Sequence, residues 1–196
     1  AVPVLEDLLR LGADRATLLS DPAFAAGDAL VDSRIVAAYL RGMSFDCILA
    51  GTRSADGARS EMPPLLAELL ALPQVSDVIR VDTASLAEGA PLVDVDEGRQ
   101  LATYRVRLPA ILALQHHRTQ VLPYVRLRDA GTDVSERLQV VDRHQLGLAA
   151  AEVGLDGSMT RLLARGLARR PEQLVVRCDD AGIEQVYAFL QRRGLV

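Results

Sequence analysis

Apolar residues recur along this chain in two rhythms, a three-to-four-residue spacing and short unbroken runs, which predicts helices interleaved with buried strands. Val4, Leu5, Leu8, Leu9 and Leu11 outline an amphipathic helix that Gly12 ends. The run ATLL at 16–19 predicts a short strand closed by Ser20, Asp21 and Pro22. From 28 to 40, Leu30, Val31, Ile35, Val36, Ala38, Tyr39 and Leu40 return at helical spacing, and Gly42 ends that pattern. Phe45, Ile48, Leu49 and Ala50 then read as a buried strand of the parallel kind. The small residues Gly51, Ser54, Asp56 and Gly57 break the strand into a loop. Pro63 and Pro64 suit the first turn of a helix whose buried face is Leu65, Leu66, Leu69, Leu70 and Leu72. The order helix, strand, helix, strand, loop, helix predicts an α/β fold around a parallel, right-handed sheet.

Beyond Pro73 the rhythm shortens to two. The segments 75–81, 92–95 and 104–108 alternate, with Gly89 and Gly98 as turns, and predict strands and hairpins. Pro109 interrupts before AILAL at 110–114, a further buried strand. Residues 115–141 keep no period and contain Thr119, Pro123, Gly131, Asp133 and Ser135. So long an irregular stretch predicts an extended arm that wraps a partner rather than a loop of a compact domain. A helical turn is expected at 142–148, then GLDGSMTRL at 154–162. A terminal helix is expected at 183–193, with Ile183, Val186, Tyr187 and Leu190 on one face and Asp179 or Asp180 as its cap.

Composition narrows the class. With 49% hydrophobic residues, 4% aromatic and no Trp among 196, the core must be built from Ala, Leu and Val. The 22 basic and 26 acidic residues are intermixed for a net charge of −4, so no basic stripe fits a nucleic-acid backbone. No apolar run reaches the roughly 18 residues of a membrane span, and no signal peptide is visible. Cys47 and Cys178 lack CxxC spacing and read as reduced thiols, so a cytoplasmic location is expected.

Candidate chemistry is sparse. His116 and His117 are adjacent, a spacing that does not bring two imidazoles to one metal, and His144 stands apart, so no metal site is expected. No Gly-x-Ser-x-Gly elbow surrounds any Ser, which removes a hydrolase triad. Arg161, Arg165, Arg169 and Arg170 read as a solvated face or a salt-bridged partner contact. The loop 51–60 remains. Ligands of open α/β sheets lie beyond the carboxyl ends of strands, where helix N-termini offer free amides, so this loop is the default site. It is neither a P-loop nor a dinucleotide fingerprint, and its residues alone predict a binding-type domain and no more.

Five blocks carry a resemblance. LLRLGADRATLLSDPAF (8–24), FDCILAGTRSADG (45–57), PLLAELLALPQVSDV (64–78), RLPAILAL (107–114) and EVGLDGSMTRL (152–162) resemble, in this order, the β subunit of electron transfer flavoproteins. The resemblance implies an adenine-nucleotide-binding, Rossmann-like sheet over 1–114. It implies a C-terminal extended arm and helix over 115–196 that embrace an α subunit in a heterodimer. It implies an electron carrier, not an enzyme, working between a flavin dehydrogenase and a quinone-linked or other acceptor. FAD is then held mainly through the α subunit, while the β subunit holds AMP, or a second FAD in bifurcating members. The family's phosphate loop maps onto Ala50, Gly51, Thr52, Arg53, Ser54, Ala55, Asp56 and Gly57. The family's strands that precede Val2 and complete the nucleotide site have no counterpart here, so an N-terminal portion is expected beyond Ala1.

The chain also departs from that pattern. Ala58, Arg59, Ser60, Glu61, Met62, Pro63 and Pro64 stand where the family usually has Asp-Thr-Gly-Gln-Val-Gly-Pro. Pro63 removes an amide donor and Glu61 brings negative charge to the turn that greets a phosphate, while Arg59 and Ser60 are the residues able to compensate. The family's docking segment for dehydrogenases falls near 117–133, where Tyr124 and Leu127 match but the Lys-rich run does not. Two rival readings follow: a β-like structural or regulatory paralogue with a degenerate nucleotide site, and a small-molecule hydrolase or ligase on the same fold.

Overall fold

The computed structural model describes residues 1–54, 60–115, 123–160 and 175–195. The chain divides into two compact units, Ala1–Arg161 and Leu162–Val196. Unit 1 contains, in order, α1 (Val2–Arg10), β1 (Ala16–Leu19), α2 (Ala29–Leu40), β2 (Cys47–Gly51), α3 (Met62–Leu70) and β3 (Gln74–Val81). It continues with α4 (Thr83–Ala87), β4 (Leu92–Asp96), β5 (Leu101–Arg105), β6 (Ala110–Leu114), β7 (Leu138–Val141) and α5 (Gly154–Gly157). Unit 2 carries α6 (Asp180–Arg192).

The strand with apolar side chains on both faces takes the middle of the sheet. β6, AILAL, lies between β2 and β3 and parallel to both, in a five-stranded sheet of order β2-β6-β3-β4-β5. Its Ile111 packs with Ala37 of α2 and with Leu66 and Ala67 of α3. Ala110 and Leu112, pointing the other way, join Val78, Val93, Val95 and Val106. A strand enclosed on both faces needs this composition. β4 and β5 extend the sheet as antiparallel neighbours. Between Val75 and Val78 the ladder of β3 slips, with Asp77 at a φ of 55°.

Helix starts follow their chemistry. The Asp28 carboxylate accepts the Val31 N–H at 3.0 Å and opens α2. Pro63 sits buried in the first turn of α3, where a missing N–H is tolerated. α6 begins at Asp180 with Asp179 as its cap, through the Gly182 N–H at 2.8 Å.

Several expectations need correction. β1 does not join β2 in one sheet; it pairs in parallel with β7 in a separate two-stranded sheet, Ala16 opposite Leu138 and Leu19 opposite Val141. β7 lies within 115–141, so part of that stretch is folded strand rather than arm, and only its described turns over 123–134 remain irregular. The described residues 123–160 fall in the same compact unit as the sheet. β2 is an edge strand and half-buried rather than enclosed: one side pairs with β6, the other has no partner among the described residues, and Leu49 is 58% exposed. The strand expected at 104–108 lies at Leu101–Arg105. The short helix α4 was not expected; the Asp82 carboxylate starts it by accepting the Ser85 N–H at 3.1 Å.

Candidate functional site

The parallel pairing of β2 with β6 brings the carboxyl ends of both strands to one place. Gly51 lies opposite Leu114, and Thr52 donates its N–H to the Leu114 carbonyl at 3.0 Å. The loop that maps onto the phosphate motif leaves from this point and ends where α3 begins. Ala50 and Gly51 close the strand, while Arg53, Ser54 and Ser60 stand exposed around the loop's mouth. Ala55, Asp56, Gly57, Ala58 and Arg59 lie outside the described residues. Thr52 differs from its neighbours: its hydroxyl is buried and has no hydrogen-bond partner among the described residues. A buried hydroxyl without a partner costs about 1 to 3 kcal/mol. A ligand oxygen reaching Thr52 removes that cost, so in this respect the loop fits a polar ligand.

The start of α3 fits a phosphate less well. Glu61 precedes the helix without capping it by a side-chain hydrogen bond, and Leu65 bonds back to the Glu61 carbonyl at 3.1 Å. Pro63 and Pro64 have no N–H to offer, so within the first turn Met62 is the remaining outward-facing amide. An anion here relies on side chains such as Arg53 more than on the helix terminus.

Beside this turn lies a cleft of about 470 Å³. Its lining includes Glu61 and Leu65 from the α3 side, Leu30 of α2, and Met159 and Thr160. Asp28 also lines it, held below the ordinary carboxylate value of 3.8 by the Val31 N–H and by the amides of Thr160 and Met159. Of these the sequence singled out Glu61 as a site residue and Leu30 and Leu65 only as helix-face positions; the signal for Asp28 was its place just ahead of the apolar period of α2.

Other candidate groups are placed as follows. Burial pushes the Cys47 thiol above its usual value, which suits an inert side chain, and Cys178 is exposed. His144 lies at the surface beside Arg143, 3.0 Å between nitrogens. His116, His117, Arg161, Arg165, Arg169 and Arg170 lie outside the described residues. Among the described residues no cluster of His, Cys, Asp or Glu could hold a metal ion, and no helix is long and apolar enough to cross a membrane. Tyr124 and Leu127 are 88% and 95% exposed on the turns after 123. In unit 2, Ile183, Val186, Tyr187 and Leu190 of α6 line an open groove of about 430 Å³ together with Val176.

Comparison with known proteins places the chain among relatives. The family model for the electron transfer flavoprotein domain matches residues 1–119. The electron transfer flavoprotein subunit beta of Clostridium acetobutylicum is 38% identical over 78 residues, covering 40% of this chain and 30% of its own. That of Thermoanaerobacterium thermosaccharolyticum is 27% identical over 164 residues, covering 82% of this chain and 60% of its own. Protein FixA of Azotobacter vinelandii is 31% identical over 179 residues, 87% of this chain and 62% of its own. The chain spans less than two thirds of the length of each.

Proposed function

The chain belongs to the electron transfer flavoprotein family, alongside β subunits and FixA proteins, and from that premise we propose that it pairs with an α subunit and carries electrons between a flavin dehydrogenase and an acceptor. The observation that carries this reading is the family match over residues 1–119, which spans β2, the loop and α3. The part is that of a carrier, with the bond-making chemistry left to the dehydrogenase and the electronic properties supplied by flavin. In this reading FAD is held mainly through the α subunit, and a nucleotide sits at the loop from Ala50 to Ser60. Thr52, with its unpartnered hydroxyl, and the exposed Arg53 are the described residues best suited to hold it. The open apolar face of α6 supports a role for the C-terminal part in binding the α subunit, and the exposed Tyr124 and Leu127 support docking of a redox partner. The edge of β2 that has no partner among the described residues, with Leu49 exposed on it, supports further strands completing the sheet there.

A second reading is favoured by the start of α3. Glu61, Pro63 and Pro64 weaken the anion site of an ordinary member, as in a β-like paralogue that keeps the fold and the partner but has lost its nucleotide. One experiment separates the two: purify the heterodimer and identify the nucleotides released on denaturation. FAD together with AMP supports the ordinary carrier, two FAD support bifurcation, and a single FAD without AMP supports the paralogue. A chain that purifies alone as a stable, flavin-free monomer defeats the heterodimer itself.

A further inference from the structure

One side chain ties the last residues of unit 1 across the start of α2. Asp28 gives one carboxylate oxygen to the Val31 N–H, the ordinary helix cap. Its other oxygen accepts the N–H groups of Met159 at 2.9 Å and Thr160 at 3.0 Å, from the far end of the unit. In return the Asp28 N–H donates to the Ser158 hydroxyl at 2.9 Å, and that hydroxyl donates to the Gly154 carbonyl at 3.2 Å. A cap requires one acceptor, which Ser or Thr supplies as well as Asp. Only a carboxylate offers the second oxygen that holds the distant pair of amides.

Because those amides bond to Asp28, Met159 and Thr160 are held where they line the same 470 Å³ cleft as Glu61 and Leu65. The cleft therefore borders the turn into which the nucleotide loop runs. Its walls are apolar at Leu30, Leu65 and Met159, and its charged residues, Asp28 and Glu61, are both acidic. Carboxylates repel phosphate, whereas an uncharged ring gains by leaving water against such side chains.

We propose that Asp28 is a positioning residue that buckles residues 158–160 over this cleft, and that the cleft seats the uncharged ring or sugar portion of the nucleotide held at the loop. The proposal rests on the nucleotide reading given above. Its test uses the purified heterodimer with Asp28→Ser, which keeps an acceptor for Val31 but is too short to reach Met159 and Thr160. Hydrogen exchange reports on the buckle, and nucleotide released on denaturation reports on the cleft. The expected result is exchange at Met159 and Thr160 faster by roughly tenfold or more, unchanged exchange in α2, and less retained nucleotide. Unchanged exchange at 159–160 overturns the buckle. Faster exchange with nucleotide retained at the wild-type ratio overturns its part in the cleft. A wild-type heterodimer without loop nucleotide refutes the underlying reading, and the exchange result then still decides the buckle by itself.

Discussion

Gly154 stands against the backbone of Ala23 so closely that a Cβ on it would overlap the Ala23 carbonyl and lie 3.0 Å from the Ala25 oxygen. Its φ of 59° adds a second reason for glycine, since an L side chain is disfavoured in that conformation. The neighbouring Val153 is buried with Val31 and Ile35 of α2, so the contact fastens the C-terminal end of unit 1 to its first half. Gly154→Ala should cost about 2 to 4 kcal/mol, combining backbone strain with the displaced carbonyl. Denaturant titration of the variant measures this; a loss below about 0.5 kcal/mol, the ordinary surface value, contradicts the close approach.

Ala71 presents the opposite case. It ends α3 at a φ of 52°, a position where helices usually place glycine, and the Leu72 N–H closes the turn on the Ala67 carbonyl at 2.9 Å. Ala71→Gly should raise stability by about 0.5 to 1 kcal/mol, because relief of the left-handed strain exceeds the added freedom of the unfolded chain. A fall in the denaturation midpoint argues against this cap geometry.

The centre of the sheet sets the largest expected loss. Leu112 is fully buried between β2 and β3. Leu112→Ala should destabilise unit 1 by about 2 to 5 kcal/mol, with the exact cost set by how far the site collapses. Leu49→Ala, on the exposed edge, should cost less in the same titration.

Acid should weaken the fold in a definite window. Asp28, Asp21, Asp82 and Asp94 are all held below the ordinary value of 3.8: Asp28 first by Val31, Asp21 by Ala23, Asp82 by Ser85 and Asp94 by Arg80. Each carboxyl is thus more acidic folded than unfolded, so its stabilisation is complete above the unfolded value and is lost as pH falls through 3.8 and below. Stability measured from neutral pH downward should show no loss from these groups until the pH nears 3.8. Asp28→Asn should make the decline below that point shallower.

Docking of a redox partner is tested at Leu127. If this protruding side chain anchors a small, transient electron-transfer contact, Leu127→Ala removes about 1 to 2 kcal/mol of affinity and slows transfer at low donor concentration about 5- to 30-fold. Flavin spectrum and heterodimer stability should stay unchanged. Dissociation of the heterodimer instead would make Leu127 an α-subunit anchor.

Sequence patterning revealed the elements whose own side chains carry the signal. β6 is apolar on both faces and α3 pairs a proline start with a leucine face, so both were visible. β7 was not: of LQVV only Val141 is buried, and what makes it a strand is pairing with β1 from the other end of the unit. α4 escaped for its brevity, since Asp82 and a single turn leave no period to detect. The end of β2 at Gly51 was legible from the small residues that follow its apolar run. The second role of Asp28 was hidden because its partners are backbone amides of Met159 and Thr160, and amides carry no residue-type signature.

The β1–β7 pairing has a consequence for synthesis on the ribosome. Ala16–Leu19 emerges early, but its hydrogen-bonding partner, Leu138–Val141, is made about 120 residues later, a wait of about 6 to 24 s at 5 to 20 residues per second. During that interval the edge of the ATLL segment that β7 will cover stands open, and the cluster of Leu9, Ala16 and Val134 is missing a member. The newborn chain therefore holds this strand without its β7 partner for seconds, so slowed translation lengthens the exposure of an edge able to pair with another chain.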